Sequence, residues 1–96
     1  MSGTVITIRT NGERVEQRWE KSGPPKWEVL RDAVGGYIER IKVRWGDRVR
    51  DAYVNENGMA ENLPFNPSSH LCTGLFAGTQ ILGNIVIWVP DPKVKK

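Results

Sequence analysis

Cysteine and histidine are nearly missing from this chain: Cys72 and His70 are the sole members of their types. A lone cysteine cannot close an internal disulfide, which excludes a disulfide scaffold and leads us to expect a reducing compartment, the cytoplasm. One histidine and one cysteine give neither zinc spacing nor a facial triad, so no metal and no cofactor is expected. Nor do they promise a nucleophile with its base. On a helix, residues two apart point to different sides, and His70 and Cys72 would not form a dyad. Long apolar runs are missing as well. None approaches the roughly 20 residues that cross a bilayer, and Met1-Ser2-Gly3-Thr4 lacks the basic and apolar regions of a secretion signal. Gly74-Leu75-Phe76-Ala77-Gly78 is not followed by Lys-Ser/Thr, so there is no phosphate loop. Charge of one sign is scarcely in excess. With 14 Lys and Arg against 11 Asp and Glu, the net charge of +3 permits an anionic partner without demanding one. Duplex nucleic acid would call for a stronger positive field.

What is present is an ordinary globular composition, 39% hydrophobic and 26% charged over 96 residues, enough for one modest core. We read one domain over 1–92 and a flexible basic tail over 93–96. Architecture turns on Val34-Gly35-Gly36-Tyr37-Ile38-Glu39, where helical spacing gives way to alternation. Gly35 can take the left-handed conformation that ends a helix, with no Cβ to oppose it. Before it, Pro25 or Lys26 opens a short helix that packs Trp27, Leu30 and Val34 on one side. Earlier still, Thr4 to Trp19 reads as a β-hairpin. A type I′ turn at Asn11-Gly12 would pair Ile8 with Val15 and Thr4 with Trp19, placing Ile6, Ile8, Val15 and Trp19 on one face.

After the glycines, Tyr37 to Trp45 and Val49 to Asn55 form a second hairpin across Gly46-Asp47, pairing Arg40 with Tyr53 and Lys42 with Asp51. Glu39 interrupts the apolar face, which implies a β-bulge near Glu39-Arg40 or a position at the strand end, or else a carboxylate held by a partner on a partly apolar face. Asn66 as N-cap and Pro67 at the first helical position predict a second helix over about Ser68 to Leu75. Ile85-Val86-Ile87-Trp88-Val89 reads as an interior strand covered on both sides. The fold class expected is α+β: a single small two-layer domain, mainly antiparallel, with two hairpins, a C-terminal strand and two short helices.

Three stretches, in this order and spacing, carry a resemblance. They are Val34-Gly35-Gly36-Tyr37-Ile38-Glu39; Tyr53-Val54-Asn55-Glu56-Asn57-Gly58 with Leu63-Pro64-Phe65-Asn66-Pro67; and Ile81-Leu82-Gly83-Asn84-Ile85-Val86. Over roughly residues 27 to 89 the chain resembles the DUF3846 family of small proteins, which has no assigned biochemical role. Ser69 or His70 stands where that family commonly has a small residue. The resemblance implies a bacteriophage or mobile-element origin, and hence the cytoplasm of a bacterial host.

Two constellations could bind. Arg40, Lys42 and Arg44 share a strand face with Tyr53, and a cation beside an aromatic ring can hold a phosphate and stack a base. Asn55, Glu56, Asn57 and Asn66 cluster in loops, where recognition groups usually sit, and His70 on the expected second helix completes the candidate binding residues. Glu39 and Glu56 could also approach as a carboxylate pair, though nothing else suggests a deep cleft. The expected function is non-catalytic: sequestration of a small anionic, cyclic-nucleotide-like signal to blunt host defence, at a site formed between subunits of a homo-oligomer. The alternative is an inhibitor or adaptor of a host protein, acting through an exposed sheet edge and the tryptophans Trp19, Trp45 and Trp88.

Overall fold

The computed structural model describes residues 2–21 and 23–92. The tail expected over 93–96 lies outside the described residues, as do Met1 and Ser22. Five strands make one antiparallel sheet: β1 (Gly3–Ile8), β2 (Arg14–Trp19), β3 (Ile38–Trp45), β4 (Arg48–Asn55) and β5 (Ile85–Pro90). Their order is β2-β1-β5-β4-β3. The two hairpins therefore never pair with each other. The last strand is inserted between them, hydrogen-bonded to β1 on one side and β4 on the other. That position explains its unbroken apolar sequence: Ile85, Val86 and Ile87 are all 0% exposed because both faces of the central strand are covered.

Each face carries its own core. On one, α1 (Trp27–Val34) lays Leu30 and Val34 over Val5, Trp19, Val86 and Trp88. On the other, Ile6, Ile8, Ile41, Val43, Ala52, Ile85 and Ile87 pack with Cys72, Ile81, Leu71 and Phe76. The α+β class holds, with the sheet covered on both faces rather than one. The helix ends as its glycine requires. Gly35 sits at φ 81°, and its N–H donates to Arg31 O at 2.8 Å. The last helical carbonyls are tied down by side chains of the sheet region, Ala33 O accepting from Asn84 Nδ2 at 3.1 Å and Val34 O from Asn55 Nδ2 at 3.5 Å. Burial of Leu30 and Val34 contributes about 1.5–3 kcal/mol each, which a helix this short needs.

The structure departs from expectation at the first hairpin, the second helix and Trp27. The first hairpin is out of phase by one residue: Ile8 faces Arg14 and Thr4 faces Arg18. Its loop closes through Arg9 N–H to Glu13 O and Gly12 N–H to Arg9 O, at 2.8 and 2.9 Å. Only Gly12 (φ 88°), not Asn11, is left-handed, so this is a three-residue loop with a glycine bulge and not a type I′ turn. A one-residue slip exchanges the faces. Trp19 accordingly joins Val5 beneath α1, while Ile6 and Ile8 fill the opposite core.

The second helix is replaced by two 3₁₀ turns, Pro67–Leu71 and Gly74–Phe76. Between them Cys72 is extended, bridges Val43, and is followed by Thr73 N–H donating to Lys42 O at 3.0 Å. The segment leaves helical geometry to cover the edge of β3, whose backbone groups would otherwise be open there. The second hairpin keeps its expected register without a bulge, and Glu39 is exposed near the strand's start. Trp27 is not packed: it is 56% exposed, with the Arg31 guanidinium 5.2 Å from its ring centre. Trp19 and Trp88 are the buried tryptophans, and Trp45 is half-buried.

The two termini of the sheet are joined by a surface cluster. Arg18 donates through Nη1 and Nη2 to both oxygens of Asp91 at 2.8 Å, and Ser2 Oγ donates to Asp91 Oδ2 at 2.7 Å. These hydrogen bonds, Arg18's first, hold the Asp91 carboxyl well below the usual carboxylate range. A depressed folded-state pKa means the contribution is fully present above the unfolded value and is lost as pH falls through the folded one. Wild type is therefore expected to be more stable than Asp91→Asn at pH 7, and the gap should narrow below roughly pH 4. Urea titrations across that range measure it; a gap that widens on acidification would refute the assignment.

Candidate functional site

The residues proposed from sequence do not form one site. Asn66 is 0% exposed and wholly engaged: its Nδ2 donates to Ile8 O and Gly83 O, both at 3.0 Å, while Oδ1 accepts from Ser68 N–H at 2.9 Å. Asn55 is also buried. Its Oδ1 accepts from Asn57 N–H at 2.7 Å, and its Nδ2 reaches Val34 O and, at 3.4 Å, Glu61 Oε1. Both amides hold the chain together and present nothing to a ligand.

The stretches that carry the family resemblance meet around them. Gly36 has its open side 2.8 Å from Asn55 Nδ2, measured from where a Cβ would stand. Gly58, similarly, would place a Cβ 2.7 Å from Leu82 O. Gly83 N–H donates to Pro64 O at 2.8 Å, and Asn66 N–H to Ile81 O at 2.8 Å. These motifs are a folding joint.

On the sheet face, Arg40, Lys42 and Tyr53 lie together as the register required. Lys42 is paired with Asp51, a cross-strand surface contact of about 0.2–1 kcal/mol. Tyr53 is partly buried against the α1 core, and that burial pushes its hydroxyl pKa up. Glu56 is exposed, its N–H donating to Tyr37 O at 2.8 Å, and it shares a small hollow of ≈ 150 Å³ with Glu39, Met59 and Leu82.

Arg44, on the same strand face as Arg40 and Lys42 but at the far end of β3, comes together with His70 of the first 3₁₀ turn. Although β2 and β3 are opposite edges of the sheet, the Arg14 guanidinium on β2 lies 4.8 Å from the ring centre of Trp45 on β3. Sheet coiling brings the two edges close at this end. Arg14, Arg44, Trp45, Gly46, His70 and Leu71 line an open cleft of ≈ 610 Å³ there, without a carboxylate among them. Among the described residues neither Arg14 nor Arg44 is paired with an acid. His70 Nδ1 is 3.0 Å from Pro67 O; since a carbonyl only accepts, Nδ1 carries the proton and Nε2 faces away. Trp45 and Leu71 supply an apolar floor, and two guanidiniums and an imidazole supply the rim.

Sequence reasoning missed Arg14 because it assigned the wrong register to β2 and because the approach of two sheet edges has no local signal. Cys72 is no part of the cleft chemistry: it is buried, and burial pushes its thiol pKa up. No helix among the described residues is long and apolar enough to cross a membrane.

The family model described as a domain of unknown function (DUF3846) matches residues 1–94, including the first hairpin as well as the motif stretches. No curated protein and no solved structure matches the chain.

Proposed function

The chain belongs to the DUF3846 family, and from that premise we propose that it is a non-catalytic binding protein that holds a small anionic, nucleotide-like ligand in the cleft between β2 and β3. The observation that carries this reading is the carboxylate-free lining: Arg14, Arg44 and His70 surround Trp45 and Leu71. Guanidiniums suit phosphate by charge and by their paired N–H groups, and an aromatic floor suits a base. The ≈ 610 Å³ volume is that of a small-molecule site. The reading moves the expected site from the Arg40–Lys42–Arg44–Tyr53 face to its Arg44 end, away from Lys42, which is already neutralised by Asp51. Turnover has little support. The buried thiol of Cys72 and the exposed ring of His70 are not arranged as nucleophile and base. Holding a signal nucleotide without converting it would lower its free concentration, which in a phage setting would blunt a host defence.

Isothermal titration with cyclic di- and trinucleotides and cyclic ADP-ribose variants tests the proposal. At least one should bind, and Arg44→Glu and Arg14→Glu should each weaken it about tenfold or more, the loss of one charge-assisted contact. No heat with any of them, or equal affinity in both variants, overturns it. A second reading, an adaptor for a host protein, is favoured by one observation. Exposed Trp27 and Tyr37 (61%) flank Arg31, whose guanidinium is 5.2 and 4.7 Å from their ring centres. These are the residue types that anchor interfaces. A protein partner retained stoichiometrically by wild type and lost in Trp27→Ala would favour it.

A further inference from the structure

The two edges of the sheet are treated differently. The outer edge of β3 is covered where Cys72 bridges Val43 and Thr73 bonds Lys42 O. β2 has no such cover among the described residues: it pairs with β1 alone, and its residues Arg14 to Arg18 are all exposed. An uncovered edge is a template for another strand. We propose that β2 pairs antiparallel with β2 of a second copy of this chain, joining two five-stranded sheets about a two-fold axis at Gln17.

The register follows from backbone and charge. Arg9 and Glu13 are hydrogen-bonded at the hairpin mouth, so the alternation of an antiparallel ladder points the N–H and C=O groups of Val15, Gln17 and Trp19 toward β1. Those of Arg14, Glu16 and Arg18 point outward. A second β2 can bond to them only if its own outward residues stand opposite. Two registers that overlap most of the strand meet this condition. One pairs Arg14 to Arg18 with itself, setting Glu16 against the partner's Glu16 and Arg14 against the partner's Arg18, like charge on like. The other pairs Val15 to Trp19 with itself. It sets Glu16 against the partner's Arg18, twice by symmetry, and half-exposed Val15 (40%) against the partner's Trp19. Opposed charges directly across a ladder stabilise and like charges destabilise, so only the second register is self-complementary.

Arg18 suits that role because it is already held in place by Asp91 and by Glu20 Oε1 (3.1 Å) while remaining half-exposed. The partner's Glu16 joins a preformed network. Gln17, at the axis, lies at a non-hydrogen-bonded position between the two copies, where side chains approach most closely.

The test is sedimentation of the full chain over a range of concentrations, with cysteine cross-linking. Wild type should move from monomer toward dimer as concentration rises. Glu16→Pro removes an outward N–H and leaves the β1 ladder intact, as a proline on an edge strand can; it should stay monomeric at tenfold higher concentration with an unchanged fold by circular dichroism. Under mild oxidation Gln17→Cys should give a covalent dimer, since facing residues there fall within disulfide reach. Glu16→Cys should not, and the buried Cys72 leaves the background low. A monomer at every concentration overturns the proposal. So does a dimer that survives Glu16→Pro, or one that cross-links through Glu16→Cys in place of Gln17→Cys.

Discussion

Asn66→Ala should lower the stability of the domain by about 2–4 kcal/mol, read as a fall in urea midpoint with little change in slope. The substitution leaves Ile8 O and Gly83 O without the donor that joins them, and Ser68 N–H without its acceptor, at a site with no solvent exposure. Each buried group left unpaired costs about 1–3 kcal/mol, discounted here because a carbonyl can keep a second partner. For a domain of this size, total stability is only about 5–15 kcal/mol, so a sizeable fraction is at stake. Asn66→Asp separates the two jobs of the side chain. It keeps the acceptor that caps the first 3₁₀ turn but replaces the amide donors with a buried charge facing two carbonyls. It should therefore be at least as damaging as alanine. If either variant loses less than about 1 kcal/mol, Asn66 is not the joint described above.

Ile87→Ala is expected to cost about 2–5 kcal/mol, the range for truncating a large side chain in a core that cannot collapse around the gap. Ile87 is 0% exposed, sits on β5, the only strand among the described residues that pairs with both hairpins, and faces Ile6 on one side and Ala52 on the other. Loss here loosens the seam that unites two locally formed hairpins. Leu75→Ala is the control: Leu75 is 99% exposed, and its removal should leave the midpoint within about 0.5 kcal/mol of wild type. Hydrogen exchange should show the same ranking, with β5 amides the most protected and the β2 edge among the least. Equal effects of the two truncations would mean that the central position of β5 does not carry the stability assigned to it.

Both effects trace to groups whose importance was unevenly visible beforehand. Asn66 was recognisable as an N-cap from the Pro67 that follows, and it is one; its reach to Ile8 and Gly83, residues far away in the chain, had no local sign. Its polarity and loop position made it look like a recognition residue, and the same polarity instead satisfies buried carbonyls. Ile87 was recognisable as interior because five apolar residues in succession, mostly β-branched, suit a strand covered on both faces. Of the site residues, Arg44 and His70 could be named but not joined. His70 was expected on an α-helix that the structure replaces with a 3₁₀ turn, and Arg14 was overlooked.

Local chemistry settled what neighbours along the chain settle among themselves. Gly35 ends the helix because only a residue without Cβ takes φ 81° freely, Gly46-Asp47 sets the second hairpin's register, and Pro67 and Asn66 start a turn. The tertiary structure decided the rest: which loop form closes the first hairpin, that β5 enters between the hairpins, that Cys72 leaves helical geometry to bridge Val43, and that Arg14 reaches Trp45. Those outcomes depend on burying two faces of one coiled sheet at once, and the free energy of that burial belongs to residues distant in sequence, so no short stretch of the chain contains it.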